Sequence, residues 1–481
     1  MTTLLRTQVE LPVVIERGGQ APLAAQIAAE LRQAVADGRL GAGERIASSR
    51  ALAASLRVSR TVVTSAYAQL YAEGWLDGRH GSGTFVAAGA RAVPRSAAGL
   101  AAAPAWSGAT RLPASPGGRP APGTPLIEMR PGIPWASGVD AAAWRRAWRI
   151  AGAAPPSASS DPLGLEALRV ALGSHLRLSR AISCSPDQIL VTRGVAGSLR
   201  LLAAALLRPG DRVAMEDPGY PAARAVFAAH GARVVACPAD EHGLVVSGLP
   251  GDVRLVYTTP AHQHPLGGRL PMPRRQALVA WARSAGALIV EDDYDSEFRY
   301  DVAPLPALFG LDPDVVVHLG TTSKTLTPAL GVGWLVAQPG LVAGVAAAGA
   351  ELGERVSEAA QRAFLALLAS GDLGRHVRRM RREYGRRRAA IVAALGSVAG
   401  PARLLGDTAG LHVVLELPAG TADQVAAAAL ERGVTVTTLE RYFAGQATRE
   451  GLVLGYGGAS LSQVMRACEV LGDLLAALPV S

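Results

Sequence analysis

Seven short apolar runs set the terms on which this chain can fold. They lie at Ile189–Thr192, Arg212–Glu216, Ala232–Cys237, Val253–Thr258, Ala287–Glu291, Val315–Leu319 and Val332–Ala337. They are continuous runs rich in β-branched and other apolar residues, and most are separated by stretches long enough for a helix. A strand with no polar side belongs in a sheet covered on both faces, so the pattern predicts an α/β domain. Two long helical stretches are expected after it, at 342–368 and 373–395, then a smaller α+β lobe at about 401–481.

A chain of 481 residues is too long for one ordinary domain, and composition shows where it divides. From 89 to 125 the sequence falls to Ala, Gly, Pro, Ser and a few Arg, with no helical or strand period. Such a stretch is a connector, which as a flexible coil would span roughly 30–40 Å. It separates a head at 20–88 from the α/β region at 126–481. The three cysteines, Cys184, Cys237 and Cys468, are widely spaced and form no CxxC, which suits small buried thiols in a reducing compartment. No signal peptide is evident at the N-terminus, and no uncharged run is long enough to span a bilayer, so a cytoplasmic protein without membrane contact is expected.

In the head, Leu23, Ile27, Leu31 and Val35 recur every four residues and predict a helix from 22 to 35. Ser48 and Ser49 can cap a second helix from Arg50 to Leu56, and Ser59 a third running to about Glu73 with Val63, Ala66 and Leu70 inside. Two short strands around a glycine turn then follow between Gly74 and Val86. Three helices and a β-wing make a winged helix-turn-helix. Its third helix would enter the major groove with Ser59, Arg60, Thr61 and Thr64 near its start, while Arg50 and the wing at Gly81 would meet phosphates. The motifs Ser48-Ser49-Arg50, Val58-Ser59-Arg60 and Gly81-Ser82-Gly83-Thr84-Phe85-Val86 are similar to the DNA-binding domain of GntR-type bacterial regulators, with Ala47 standing where that family usually has proline. The net charge of +9 permits such a partner without proving it.

Lys324 is the single lysine among 48 basic residues. Arginine can carry surface charge and phosphate contacts, but only lysine can lose its proton and form an imine. Taken alone, its position after the Val315–Leu319 run is open between that role and chance survival in an arginine-rich chain. The neighbouring run ends in Glu291-Asp292-Asp293-Tyr294-Asp295. In a parallel sheet both sites fall at the carboxyl edge, where ligands bind. Asp292 can keep a pyridine nitrogen protonated, Tyr294 can hydrogen-bond a phenolic oxygen, and Lys324 can hold an aldehyde. Together they meet the needs of pyridoxal 5′-phosphate as a Schiff base to Lys324. The backbone of Val195 and Ala196 at a helix start can take the phosphate, Thr321 and Ser323 can add hydroxyls, and Tyr220 can cover the ring.

The region from Ile127 onward resembles fold-type-I aminotransferases, and the joined chain resembles the MocR/GabR class of regulators. The resemblance rests on Glu216-Asp217-Pro218-Gly219-Tyr220-Pro221, Thr259-Pro260-Ala261-His262-Gln263, Asp292-Asp293-Tyr294-Asp295-Ser296-Glu297-Phe298 and Gly320-Thr321-Thr322-Ser323-Lys324-Thr325-Leu326. It implies a dimeric, pyridoxal-phosphate-responsive transcription factor that need not turn over substrate. An active aminotransferase carrying a DNA-binding head, and a scaffold that has lost the cofactor, are the alternatives. The chain also departs from the family. Gly331 stands where an arginine usually grips the cofactor phosphate, Ala222 and Val453 occupy places where a carboxylate-binding arginine is often found, and Arg224 is the remaining substitute. These departures favour the cofactor itself, or an unusual amine, as effector. The arginine run from Arg375 to Arg388 reads as a solvated helix face. His262 and His264 have no further ligand in the sequence nearby, so no metal site is expected. Trp144 and Trp148 read as core or subunit contacts.

Overall fold

The computed structural model describes residues 13–17, 21–79, 83–87, 126–155, 157–158, 161–301, 306–396 and 402–478. Gly81 and the expected connector lie outside the described residues. The chain divides into two compact units, Met1–Ala114 and Ser115–Ser481.

The first unit holds α1 (Leu23–Ala36), α2 (Ser49–Leu56), α3 (Arg60–Ala72) and an antiparallel pair, β1 (Leu76–Arg79) and β2 (Gly83–Val86). Ile27, Leu31 and Val35 of α1, Leu52 of α2 and Val63, Ala66 and Leu70 of α3 close a small core. Ser48 caps α2, accepting from the Ala51 N–H at 3.2 Å. Ser59 occupies the equivalent place before α3, but its side chain makes no capping bond. Ala47 needs no proline to hold its turn, because Tyr67 donates its hydroxyl to the Ala47 carbonyl at 2.7 Å.

The second unit begins with β3 (Ile127–Glu128), α4 (Ala141–Ala153) and α5 (Glu166–Arg180). Then come β4 (Ile189–Thr192), α6 (Gly194–Leu206), β5 (Arg212–Asp217), α7 (Pro221–Ala229), β6 (Arg233–Asp240), β7 (Gly243–Leu244), β8 (Leu255–Thr258), α8 (Met272–Ala285), β9 (Leu288–Asp293), β10 (Val316–Thr321) and β11 (Gly333–Val336). All seven apolar runs are strands of one sheet, ordered β4-β11-β10-β9-β8-β5-β6-β7. Pairing is parallel from β6 to β10 and antiparallel on both sides of β11. Successive residues within a run go to opposite cores. Ile189, Val256, Ile289 and Val316 pack towards α5, α8 and α10, while Leu190, Leu255, Val290 and Val317 pack towards α6, α7 and α9. That is the physical reason the runs carry no polar side.

The helical stretch expected at 342–368 is two helices, α9 (Pro339–Glu351) and α10 (Glu358–Ala369), ahead of α11 (Asp372–Leu395). Gly353 breaks the first with a φ of 67°, and Ser357 caps the second by accepting from the Ala360 N–H. The smaller lobe comprises β12 (Arg403–Leu405), β13 (His412–Leu417), α12 (Ala422–Glu431), β14 (Val434–Thr435), β15 (Thr437–Thr438), β16 (Glu450–Gly455) and α13 (Leu461–Ala476). It also takes in chain from outside 401–481. β3 pairs with β14, and Met129, Met380, Tyr384 and Ile391 join its core. No described helix is long and apolar enough to cross a membrane.

Candidate functional site

The parallel strands all end at one edge of the large sheet, and the chemistry-bearing residues collect there. Lys324 lies three residues after β10, Asp292 and Tyr294 at the end of β9, Tyr220 after β5 and Gly194 after β4. The Lys324 amine donates to the Gly132 carbonyl at 2.7 Å. Burial pushes its pKa below the usual lysine range, and the charges of Asp295 and Asp292 partly oppose this. A buried amine with a lowered pKa is closer to the neutral nucleophile than a surface lysine is.

Asp292 is fully enclosed. Tyr257 donates to its Oδ2 at 2.5 Å, while Oδ1 has no partner among the described residues. Burial raises this carboxyl to about 7, more than the Tyr257 bond lowers it. A carboxyl held up in the folded state binds a proton there that the unfolded chain has already released, so it weakens the fold as pH rises from about 4 to 7. Asp292→Asn should therefore melt a few degrees above the ligand-free wild type at pH 8 and alongside it near pH 4, measured by thermal unfolding.

The anion end of the site is built from backbone. Gly194 has a φ of 73°, which turns the chain directly from β4 into α6. Arg193 at the N-cap makes no side-chain capping bond, which leaves the N–H groups of Val195 and Ala196 without a cap among the described residues and able to meet a ligand. A Cβ on Gly194 would lie 3.4 Å from the Thr321 hydroxyl and 3.8 Å from that of Ser323, so both face the helix start. Gly333 must be glycine, since a Cβ there would meet the Gly194 Cα at 2.6 Å. Gly331 closes the short turn Pro328–Leu330 in the left-handed region, at a φ of 62°. An arginine at that position would strain the turn. Arg193, adjacent in sequence to the helix start, faces Glu354 at 3.9 Å.

Tyr294 is brought to the site but is already engaged. Its hydroxyl lies 3.0 Å from both the carbonyl and Nδ1 of His262, and that Nδ1 is 2.9 Å from Asp295. Arg224 is not free for a ligand carboxylate. It donates to the carbonyls of Tyr442 (2.7 Å) and Phe443 (2.8 Å), fastening the loop before β16. Several members of the site went unseen in the sequence. His262 and His412 are buried and His264 is partly buried, with Asp295 beside His262, and the ring centroid of His412 lies 5.0 and 5.2 Å from those of His262 and His264. Potential metal-binding atoms of His262, Asp295 and His412 all lie within 4.8 Å of one another, a cluster that local spacing did not show. In this cluster His262 Nδ1 pairs with Asp295 and His412 Nε2 lies 2.9 Å from the Pro265 carbonyl, while His262 Nε2 has no hydrogen-bond partner among the described residues. One signal was available for His264. Its loop leaves β8 at the same sheet edge as Lys324.

In the first unit, Arg50, Ser59, Arg60, Thr61 and Thr64 are all exposed, at the starts of α2 and along the outer face of α3. Arg60 lies 3.5 Å from the Ser49 hydroxyl. A three-helix unit with its β-wing, and a separate fold-type-I transferase domain, define a two-part chain: a winged helix-turn-helix head on an aminotransferase-like body. The family models agree. The gntR family of bacterial regulatory proteins matches residues 23–86, and aminotransferase class I and II matches 139–451. The chain is 37% identical over 448 residues to the HTH-type pyridoxine biosynthesis transcriptional regulator PdxR of Corynebacterium glutamicum, covering 93% of this chain and 95% of that one. It is 33% identical to the probable rhizopine catabolism regulatory protein MocR of Rhizobium meliloti, covering 93% and 92%. Among solved structures, an archaeal alanine:glyoxylate aminotransferase superposes with a TM-score of 0.68 at 26% identity, over 73% of this chain and 91% of that one. The chain belongs to the MocR-type family of HTH transcriptional regulators.

Proposed function

We propose that this protein is a transcriptional regulator that binds an operator through its head, 20–88, and senses pyridoxal phosphate, alone or joined to an amine, in its body, 126–481. Supporting this reading is one observation above the rest: the chain's single lysine lies partly buried at the sheet edge near a buried carboxyl with one oxygen unpartnered among the described residues. The residues present suit that cofactor. Bound there, it would supply an aldehyde to an amine and a ring nitrogen to a carboxylate. Lys324 holds the aldehyde end. Asp292 Oδ1 gains its missing partner at the ring nitrogen, Tyr220 covers the ring, and Thr321, Ser323 and the N–H groups of Val195 and Ala196 hold the phosphate. Tyr294 lines the phenolic side. A soluble homodimer is the expected state, as the long stretch between head and body would let each head reach a partner.

Arg60 near the start of α3 faces a base edge or phosphate, with Thr61 and Thr64 beside it and Arg50 on the backbone of the duplex. Arg60→Ala should weaken operator binding about ten- to a hundredfold, roughly 1–3 kcal/mol, read by fluorescence anisotropy at fixed salt. The proposal itself is tested on DNA flanking the protein's own gene. Footprints that change on adding pyridoxal phosphate are expected, and a cofactor-independent footprint would sink the sensing role. A second reading, an active aminotransferase, draws on the same poised lysine. Fast multiple turnover of amino acids by the purified chain would favour it.

A further inference from the structure

We infer that Arg45, in the segment before α2, is a further operator contact, its guanidinium lying across the wing to hold a backbone phosphate of the duplex. The inference rests on the operator-binding reading above and adds to it a residue that lies outside α2 and α3. The segment 43–46 acts as a third strand of the wing. Gly43 donates to the Val86 carbonyl at 2.8 Å, Ile46 donates to that of Thr84 at 3.0 Å, and Val86 donates to that of Glu44 at 2.9 Å. Arg45 therefore pairs with Phe85 in antiparallel register. Successive residues of a strand face opposite ways. Ile46 enters the core of the head, which leaves Arg45 on the outside. Gly83 shows where the side chain runs. A Cβ there would lie 2.9 Å from Arg45 Nε and 3.3 Å from its Nη2, so the guanidinium rests against the bare backbone at the start of β2.

Two tyrosines of α3 fix this arrangement. Tyr67 donates to the Ala47 carbonyl at 2.7 Å, and Tyr71 donates to the Thr84 hydroxyl at 2.9 Å. One holds the segment of Arg45 and the other holds β2, so both keep a set position against the helix expected in the major groove. Arg45 lies three residues before the Ser48 cap, Arg50 lies in the first turn of α2, and Arg60 reaches the Ser49 hydroxyl. Three exposed arginines thus border the start of α2. Arg32 and Arg39, which precede Arg45 in the chain, are paired with Glu73 and Asp37. Arg45 has no such partner among the described residues, and the adjacent Glu44 accepts from the Gly41 N–H at 2.6 Å. Asp77 stands two strands away across the wing, roughly 10 Å at ordinary strand spacing. An unneutralised guanidinium on a fixed strand suits a phosphate, whose oxygens match its planar fork. The competing role is packing, with the side chain serving only to cover the wing.

The test measures binding of the full-length chain by fluorescence anisotropy over a series of salt concentrations, comparing wild type, R45A and R45K. Two duplexes of equal length are used, one from DNA flanking the protein's own gene and one of random sequence. R45A should bind both about tenfold more weakly, and its plot of log affinity against log salt should be shallower by about one. R45K keeps the charge and should recover the slope and most of the affinity. Packing alone would weaken binding without moving the slope. Unchanged affinity and slope in R45A overturn the phosphate contact. A loss confined to the flanking DNA, with the slope unmoved, overturns it in favour of a base contact. Equal losses in R45A and R45K at an unmoved slope overturn it in favour of packing. Failure of wild type to bind either duplex is a separate result, which sinks the operator reading and this contact with it.

Discussion

Lys324→Ala will leave a chain that pyridoxal phosphate and borohydride no longer mark. Wild type should take one cofactor per chain, and peptide mapping should place it on the fragment containing Lys324. The composition makes the result unusually sharp: with one lysine in 481 residues, the α-amino terminus is the sole other primary amine in the chain. Loss of the covalent link should lower affinity about a hundredfold or more, roughly 3 kcal/mol. Lys324→Arg is the informative companion. It restores a cation near Asp292 and Asp295, yet arginine stays protonated and forms no imine. If Lys324→Arg binds as weakly as Lys324→Ala, the covalent bond is what matters. If it recovers wild-type affinity without an adduct, the lysine serves mainly as a charge, and the sensing site must be rebuilt around electrostatics.

What the sequence made legible was local. Continuous apolar runs gave all seven strands because a doubly covered strand announces itself in its own residues. Lys324, Asp292 and Thr321 followed, since a parallel strand's end fixes which edge of the sheet its last residues reach. What stayed hidden depended on partners far along the chain. Tyr294 looked free until the loop after β8 brought His262 to 3.0 Å from its hydroxyl. His412 reaches the same cluster from the smaller lobe, about 150 residues from His262, with nothing in its own sequence surroundings to mark it. Arg224 looked available until the loop before β16 offered it two carbonyls. Side-chain availability is a tertiary property, and an apolar period does not encode it.

The arginine run on α11 shows the same limit most plainly. Arg375, Arg378, Arg382 and Arg386 are exposed, as a solvated face requires, but Arg387 is fully buried. It falls on the inward stripe of Met380, Tyr384, Ile391 and Leu395, where a sequence reader sees an interruption and the structure has a clamp. Its guanidinium donates to the carbonyls of Tyr456 (3.2 Å) and Gly457 (3.0 Å), approaches Glu383 at 3.3 Å and lies 4.1 Å from the Trp135 ring centroid. It thereby ties the chain after β16 and the segment after β3 to α11. Arg387→Ala strips the partner from two buried carbonyls and from a mostly buried carboxylate, a loss of about 3–5 kcal/mol. Arg387→Lys should fall between, because one ammonium cannot reproduce the planar fork or the stacking. The paired change Arg387→Met with Glu383→Leu should recover much of the loss, since replacing a buried ion pair by apolar volume is often near neutral. Urea unfolding of the full chain reads all three. A single-variant loss below about 1 kcal/mol would mean that water reaches those carbonyls once the guanidinium is gone, and that the clamp is not what holds the smaller lobe to its helix.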